Sequence, residues 1–258
     1  MDYLIDDFMK FLSALGFITM ANLSAASYET TTTSADCKER NCMYDSIGIG
    51  GAYYSYNASD VVSPAYYLVA DGKYVWSARA QVGLLVRAGM GSNELKGTFP
   101  TTLKTKANYF FFDAKLKAGW NVLSKDYPLF LNIFGELVSQ TPKESFGRAY
   151  SVVGLELDGN IPVGGNLKLI YGASYGVLYA SYFYDSVRAN VPNSASNFEA
   201  TANVGISYEF GNGYAYFARI IGRYQNIGAS NTATYENNLV SYPKSTNYAG
   251  MLEMGVEF

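Results

Sequence analysis

Apolar and polar residues alternate over most of the chain beyond its first 45 residues, and this period of two predicts β-strands with two different faces. The final stretch alternates most strictly, with Tyr248 and Phe258 on its apolar face and Asn247 and Glu253 on its polar face. Ten strands are predicted, at about 46–57, 62–70, 73–88, 106–122, 128–140, 148–160, 166–183, 197–210, 213–227 and 247–258.

The connections between these segments alternate in length. Tight turns are predicted at 71–72, 124–127, 162–165 and 211–213, where Gly and Asp tolerate the backbone of a hairpin turn. The stretches 89–105, 184–196 and 228–246 are long and rich in Ser, Asn and Thr, and 140–147 is intermediate. Short turns at one end, long loops at the other and an even strand number favour an all-β, transmembrane, antiparallel up-and-down β-barrel of about ten strands. Eight or twelve strands stay open as alternatives.

Aromatic residues on the apolar face fall at two heights, with Ala, Val, Leu and Ile between them. Amphipathic rings concentrate where a bilayer meets water, so this distribution predicts two girdles that face lipid. The girdle near the short turns comprises Trp76, Trp120, Tyr208, Phe210, Tyr214, Tyr216 and Phe258. The girdle near the long loops comprises Phe110, Phe112, Tyr175, Tyr179, Phe198, Tyr224 and Tyr248.

The polar face carries charges of both signs, which a closed barrel would turn into its lumen. This predicted network comprises Arg79, Arg87, Asp113, Lys115, Lys117, Glu136, Glu156, Asp158, Lys168, Glu199, Glu209, Arg219, Arg223, Glu253 and Glu257. The charges either pair and fill the lumen as a polar core or line a narrow ion-conducting path. Arg219 and Glu253, on neighbouring strands, are predicted to join one ion-pair network that closes the lumen at mid-membrane.

A soluble lipocalin-like barrel is the other fold compatible with strict alternation. Its apolar face would point inward around a ligand cavity and leave the charges outside. It would not explain the two girdles, the terminal aromatic residue or the asymmetry of the loops.

The first 26 residues have the pattern of a secretory signal peptide. Lys10 precedes an apolar run at 11–20, and small residues at Ser24 and Ala26 predict cleavage after Ala26. The acidic start suggests Met9 as the true translation start, and an amphipathic N-terminal helix is the alternative. Residues 27–45 are predicted to be a periplasmic segment and 46–258 the barrel.

Both cysteines of the chain, Cys37 and Cys42, lie in the predicted periplasmic segment. An even count in an exported chain favours a disulfide between them, with two unpaired thiols as the alternative.

Composition narrows the function classes. The chain has 22 acidic and 19 basic residues, and removing residues 1–26 leaves 19 and 18, which gives no basic surface for nucleic acid. It has no histidine, so Ser-His-Asp triads, histidine metal sites and histidine bases are excluded. Small outer-membrane enzymes of the omptin, phospholipase and lipid A acyl-modifying types resemble one another in relying on a catalytic histidine. A Ser-Lys or carboxylate-pair mechanism would need no histidine and stays open, but no motif points to one. The sequence therefore predicts no enzyme and no cofactor.

The C-terminal strand resembles the strand that the outer-membrane assembly machinery recognises, although Gly250 stands where a Tyr is common. Together with the signal peptide it makes the chain similar to the small monomeric outer-membrane β-barrels of Gram-negative bacteria, of the OmpA, OmpX and Opa type. The resemblance is architectural over 46–258. It implies the bacterial outer membrane, with lipid, lipopolysaccharide and the assembly machinery as partners. It also implies a structural or adhesion-type role through a host or matrix ligand at the loops, or alternatively a narrow channel.

Overall fold

The structure, a computed structural model, describes residues 41–57, 61–95, 103–140, 142, 144–211 and 213–258. The proposed signal peptide and Cys37 lie outside these residues. In the described part of the chain no helix is long and apolar enough to cross a membrane. The strands are β1 Cys42–Tyr56, β2 Val61–Trp76, β3 Ala80–Leu95, β4 Lys106–Asn121, β5 Leu129–Gln140, β6 Phe146–Gly164, β7 Leu167–Tyr184, β8 Val187–Asn190, β9 Phe198–Gly211, β10 Tyr214–Ile227, β11 Ala233–Tyr235, β12 Asn238–Val240 and β13 Ser245–Glu257.

Ten of these strands close into one antiparallel barrel. Each of β1 to β7, β9, β10 and β13 pairs with the next, and β13 returns to pair with β1. Closure leaves the barrel without a sheet edge, which is the condition for burying strands in lipid. The ten-strand up-and-down barrel predicted from alternation is confirmed. The short strands β8, β11 and β12 lie in connections that were predicted as loops.

One hairpin differs from the prediction. Asp71 and Gly72, predicted as a turn, lie inside β2, where Asp71 pairs with Ser46 of β1. The chain instead turns at 77–79, where Ser77 and Ala78 adopt positive φ angles of 45° and 52°. Because the turn has three residues, odd-numbered residues face the same side in β2 as in β3, and so do even-numbered residues. Alternation alone therefore could not locate this turn.

The stagger of the barrel follows from the strand registers. From Glu253 of β13, one path of paired residues runs through β1 to β5 and reaches Arg148 of β6. The other path runs through β10, β9 and β7 and reaches Asn160, twelve residues further along β6. A ten-stranded barrel with this stagger has strands tilted by about 40° and a lumen narrow enough for side chains to fill.

The outer face is apolar over the height of a bilayer. Ile47, Ile133 and Ile220 are among its exposed residues. Tyr248 on β13 and Phe258, which directly follows β13, mark the two girdles and are ten residues apart. With about 3.4 Å per residue and a tilt of about 40°, they lie roughly 25 Å apart in height, which matches the apolar band of about 25 Å in outer-membrane barrels.

Candidate functional site

A cavity of 490 Å³ occupies the half of the lumen nearest the short turns. We call it the vestibule. Its lining reaches from Lys125 and Gly165 in the turns up to Arg87 and Arg223 at mid-barrel. Charged side chains of both signs cover its wall, among them Asp71, Lys73, Lys115, Lys117, Glu156, Asp158, Lys168, Glu209, Arg219 and Glu257. The lower lumen, as we use the term, is the vestibule together with the ion pairs around it.

Glu253 is the acceptor at the centre of the barrel. Its carboxylate accepts hydrogen bonds from Arg87 Nε at 2.6 Å, Arg219 Nε at 2.5 Å and Tyr67 OH at 3.0 Å. Arg87 extends the chain of charges to Asp113, with Nη1 2.8 Å from Oδ2. On the vestibule side, Arg219 reaches Asp71 at 3.4 Å. Residues of five strands, β2, β3, β4, β10 and β13, are thereby joined across the lumen.

Arg223 is a second shared donor, connected to this group through Asp113. Its Nη2 lies 2.5 Å from Glu136 Oε1 and 3.5 Å from Asp113 Oδ2, and its Nη1 lies 3.6 Å from Glu199 Oε2. Nη1 also donates a hydrogen bond to Tyr150 OH at 2.5 Å. Glu136 and Asp113 are almost fully buried, so Arg223 neutralises carboxylates that water does not reach.

Two lysines of β4 carry the network down the opposite wall. Lys115 and Lys117 each lie 2.7 Å from a carboxylate oxygen of Glu156. Lys115 also lies 3.4 Å from Glu136, which connects this wall to Arg223. Lys117 lies 3.2 Å from Asp158. The ion pairs therefore form one connected set from the central layer to the vestibule.

The structure places most of the sequence-predicted lumen charges in this set, but not all. Arg79 lies exposed in the turn at 77–79, so its assignment to the lumen was wrong. Lys168 pairs only loosely with Glu209, at 3.8 Å. Sequence reasoning missed Asp71 because it was interpreted as a turn residue. Lys73 was placed on the polar face but omitted from the network, although it lies 3.6 Å from Asp158.

The half of the lumen nearest the long connections is filled differently. We define the upper lumen as the inward side chains between the Arg223 layer and these connections. Arg148 lies at its centre, stacked on Tyr56 at 4.2 Å, Tyr150 at 4.9 Å and Tyr54 at 5.3 Å from the ring centroids. Among the described residues, no carboxylate lies within salt-bridge distance of Arg148. Arg148 was missing from the predicted lumen charges, because the pattern of an alternating strand does not distinguish a functional arginine from any other polar residue.

Two glutamines connect Arg148 to its surroundings. Arg148 Nε donates to Gln140 Oε1 at 3.0 Å, which also accepts from Tyr56 OH at 2.6 Å. Arg148 Nη1 donates to Gln225 Oε1 at 2.8 Å, and Gln225 Nε2 donates to Glu199 Oε2 at 2.6 Å. Arg148 and Glu199 are thus linked through the side-chain amide of Gln225 and not by a direct ion pair.

The long connections close this end of the barrel. We call residues 103–105, 185–197 and 228–244 the cap. Tyr242 of the cap stacks on Tyr182 of β7 at 4.0 Å and on Phe146 of β6 at 5.1 Å between ring centroids. Further cap side chains are buried in the same cluster: Leu103, Val191, Tyr235 and Val240. The cap is therefore packed into the lumen and does not lie loosely above it.

Inward glycines give the aromatic rings room in this narrow lumen. A Cβ atom on Gly91 would lie 2.3 Å from the Tyr109 ring, and one on Gly50 would lie 2.4 Å from the Tyr67 ring. These positions need glycine for space, since neither has a positive φ angle.

The aromatic residues of the predicted girdles lie on the outer face. In the girdle near the long connections, rings touch from strand to strand: Tyr175 to Phe198 at 5.3 Å, Phe198 to Tyr224 at 5.7 Å and Tyr224 to Tyr248 at 5.3 Å. The exposed members of both girdles are Trp76, Trp120, Tyr208, Phe210, Tyr214, Tyr216, Phe258, Phe110, Tyr175, Tyr179 and Tyr248. Phe112 differs, because only 8% of it is exposed, and it does not belong to the accessible girdle.

The remaining candidate sites concern cysteine and metal. Cys42 begins β1, four residues before the predicted start of the first strand, and its predicted disulfide partner lies outside the described residues. Within the described ranges no cluster of three or more His, Cys, Asp or Glu side chains is arranged to hold a metal ion.

Comparison with known proteins identifies the fold. No family model and no curated protein sequence matches the chain. The outer membrane protease OmpT of Escherichia coli is similar in structure, with a TM-score of 0.55 and 12% identity over 84% of this chain and 96% of that protein. Neisserial surface protein A has a TM-score of 0.42 and 14% identity over 85% and 98%, and the NalP translocator domain of Neisseria meningitidis has 0.42 and 12% over 98% and 97%. At these lower TM-scores the latter two add nothing to the argument.

The prediction that the chain is not an enzyme was wrong as a conclusion from missing histidine. The fold is similar to that of an outer-membrane protease, and at 12% identity this likeness shows the fold alone, so enzymatic status is not established. The closed barrel, its apolar outer band and the likeness to OmpT establish a more general statement about the fold and location. The chain is a ten-stranded β-barrel of the small Gram-negative outer-membrane type, located in the bacterial outer membrane, of unspecified family.

Proposed function

We propose that the protein acts as a surface-recognition barrel, whose cap faces the cell exterior and binds a host or matrix ligand. Short periplasmic turns and longer extracellular loops are the usual orientation of such barrels. The observation that carries the proposal is the burial of cap side chains in the lumen. Tyr242 and Val240 are anchored there, so the outer surface of the cap is held in one shape. A preorganised surface binds with a smaller loss of conformational freedom.

The hairpin of β11 and β12 is the most defined part of this surface. Its turn residues Glu236 and Asn237 have φ angles of 46° and 63°, as a tight two-residue hairpin requires. Tyr235 points into the cluster beneath, whereas Thr234 and Leu239 are paired across the strands on the outside. Leu239 is 79% exposed, so a partner that covers it would remove apolar surface from water.

A narrow channel is the second candidate, and the vestibule is the observation that favours it. Passage would still have to cross the Arg223 layer, the upper lumen and the cap. We therefore expect the wild-type protein to stay closed in planar lipid bilayers. Arg219→Ala would widen the vestibule without opening the upper lumen, so single-channel recording should show no steps for this variant either. Porin-like steps in the wild type would favour the channel instead.

Adhesion tests the recognition proposal directly. Escherichia coli cells displaying the protein are applied to immobilised laminin, fibronectin and collagen and to epithelial cells. We expect binding above that of cells with empty vector, and a severalfold loss with Leu239→Ser. Leu123→Ser is the matched control, because Leu123 is 61% exposed in a short turn at the opposite end. Equal loss in both variants, or no binding by the wild type on any of these surfaces, would refute the proposal.

A further inference from the structure

The upper lumen contains a set of buried hydrogen-bond donors that have no acceptor among the residues that the structure describes. They are Tyr54 OH, Tyr109 OH, Tyr182 OH, Gln140 Nε2, Arg148 Nη2 and Asn247 Nδ2. All six belong to residues that are at most 4% exposed. A buried donor without a partner costs free energy, so a cluster of them in one region marks a place where an acceptor fits.

The charge in this region indicates what kind of acceptor would bind there. Arg148 is the cation of the upper lumen, and within the described residues its nearest negative charge is reached only through Gln225. Its Nη2 remains without an acceptor. One guanidinium among neutral donors suits one negative charge, whereas a doubly charged phosphate would bring an unbalanced charge into a dry site. The aromatic walls suit an apolar body on the ligand.

Residues 228–244 are one of the three parts of the cap whose side chains are buried over this region. Residues 228–244 are tied together by Tyr242 N donating to Ser230 Oγ at 2.7 Å and Ser230 N donating to the Tyr242 carbonyl at 2.9 Å. Two hydrogen bonds connect them to the 185–197 part of the cap: Asn231 N donates to the Asn190 carbonyl at 2.7 Å, and Gly228 N donates to Asn197 Oδ1 at 2.8 Å. Toward the barrel wall, the Tyr242 ring lies between Phe146 and Tyr182, and Tyr235 and Val240 are buried in the same cluster. Tyr182 is directly opposite Arg148 in the β6–β7 pair.

We propose that the upper lumen is a binding site for a small organic monocarboxylate, covered by residues 228–244 as a lid that the Tyr242 ring latches. The carboxylate takes the place of the missing acceptor at Arg148 Nη2 and the tyrosine hydroxyls. The apolar body of the ligand takes the space between Phe146 and Tyr182 that the Tyr242 ring fills when the lid is closed. The proposal concerns the space beneath the cap: it needs residues 228–244 to open, whereas the surface-recognition role uses the closed cap, whose shape Tyr242 and Val240 hold.

Isothermal titration calorimetry with benzoate as the probe tests this site in the purified full-length barrel. A closed lid lowers the apparent affinity by the fraction of open molecules, so Tyr242→Ala should bind benzoate at least tenfold more tightly than the wild type. Tyr242→Phe keeps the ring and should behave like the wild type. Adding Arg148→Gln to Tyr242→Ala should abolish binding, and benzyl alcohol, which lacks the carboxylate, should not bind.

A second variant keeps the test decisive if Arg148→Gln fails to fold. Tyr182→Phe removes one hydroxyl donor and retains the ring, so in the Tyr242→Ala background it should weaken benzoate binding severalfold. Tyr248→Ala, on the outer face of β13, should leave affinity at the wild-type value. Absence of benzoate binding in Tyr242→Ala, equal binding of benzyl alcohol, or binding that is unaffected by both Arg148→Gln and Tyr182→Phe would overturn the proposal.

Discussion

The lower lumen is built from ion pairs around a cavity, whereas the upper lumen is built from tyrosines and amides around one arginine. Arg223 lies within 4 Å of three carboxylates, and Arg148 stacks on three tyrosine rings. The two halves share the same wall of alternating strands. They differ in their access to water, since the short turns leave the vestibule open and the cap covers the other end.

This difference shows how access to water sets the chemistry of a barrel interior. On the vestibule wall, partial hydration reduces the cost of bringing charges into the lumen, and at its inner end, where Glu136 and Asp113 are dry, pairing with Arg223 offsets that cost. Beneath the cap, a charge has to be stabilised by ring faces and amides. The lower lumen is stabilised mainly by ion pairs, and the upper lumen mainly by packing.

Arg223→Met should have the largest effect. It leaves Glu136, Asp113 and Glu199 without their shared cation, and removing one partner of a buried ion pair costs about 3–5 kcal/mol. The measurement is the free energy of unfolding in urea, with the protein reconstituted in lipid vesicles. A smaller loss of unfolding free energy than that caused by Arg148→Met would mean that ion pairing is not the main source of stability in the lower lumen.

Arg148→Met should cost less, about 1.5–3 kcal/mol, the range for hydrogen bonds to a charged group. It removes the donors to Gln140 and Gln225 but strands no directly paired carboxylate among the described residues. Glu199 also keeps its contact with Arg223. The same urea titration compares the two arginines. An equal loss in both would show that Glu199 depends on Arg148 as strongly as on Arg223.

Gly91→Ala tests packing without changing any charge. The added methyl group would meet the Tyr109 ring and the backbone oxygen of Pro64, and overpacking of this kind costs about 1–3 kcal/mol. Gly135→Ala on β5 is the matched control, because no atom lies within 4 Å of its added Cβ. Urea unfolding should distinguish the two alanines. If they are equally stable, Tyr109 moves aside at little cost and the upper half is less tightly packed than its burial indicates.

Lys106→Met should have the smallest effect. Lys106 pairs with Glu94 at 3.7 Å on the rim, where its side chain is 76% exposed. Exposed ion pairs of this kind contribute about 0–1 kcal/mol and weaken with added salt. Unfolding free energies at low and high salt should therefore nearly coincide for this variant and the wild type. A loss comparable to that of Arg223→Met would remove the distinction between lumen and rim.

The sequence predicted the barrel well because the alternation of apolar and polar residues can be recognised within each strand, without knowing which strands pair. Residues such as Tyr248 and Glu253 show their faces from position alone. The hairpin at 77–79 was missed because its three residues preserve parity and because Asp71–Gly72 carries a turn signal that pairing with β1 overrides. Arg79 was placed in the lumen by the same misassigned strand.

The candidate sites were harder to predict. The list of inward charges came from alternation, but their pairing depends on which strands lie opposite each other across the lumen. Arg87 and Glu253 are far apart in sequence, and only the closed barrel brings them within 2.6 Å. The cap contacts of Tyr242 had no sequence signal, because long polar connections do not show which of their residues fold inward.

The sequence by itself determined the strand number, the two faces and the bilayer-facing girdles, since each follows from the period of two and from the preference of aromatic rings for membrane interfaces. The tertiary structure alone decided how the lumen is divided. Barrel closure and stagger set which side chains meet across the axis, and the folding of the cap set which half is shielded from water. These are contacts between residues distant in the chain, and a local pattern carries no information about them.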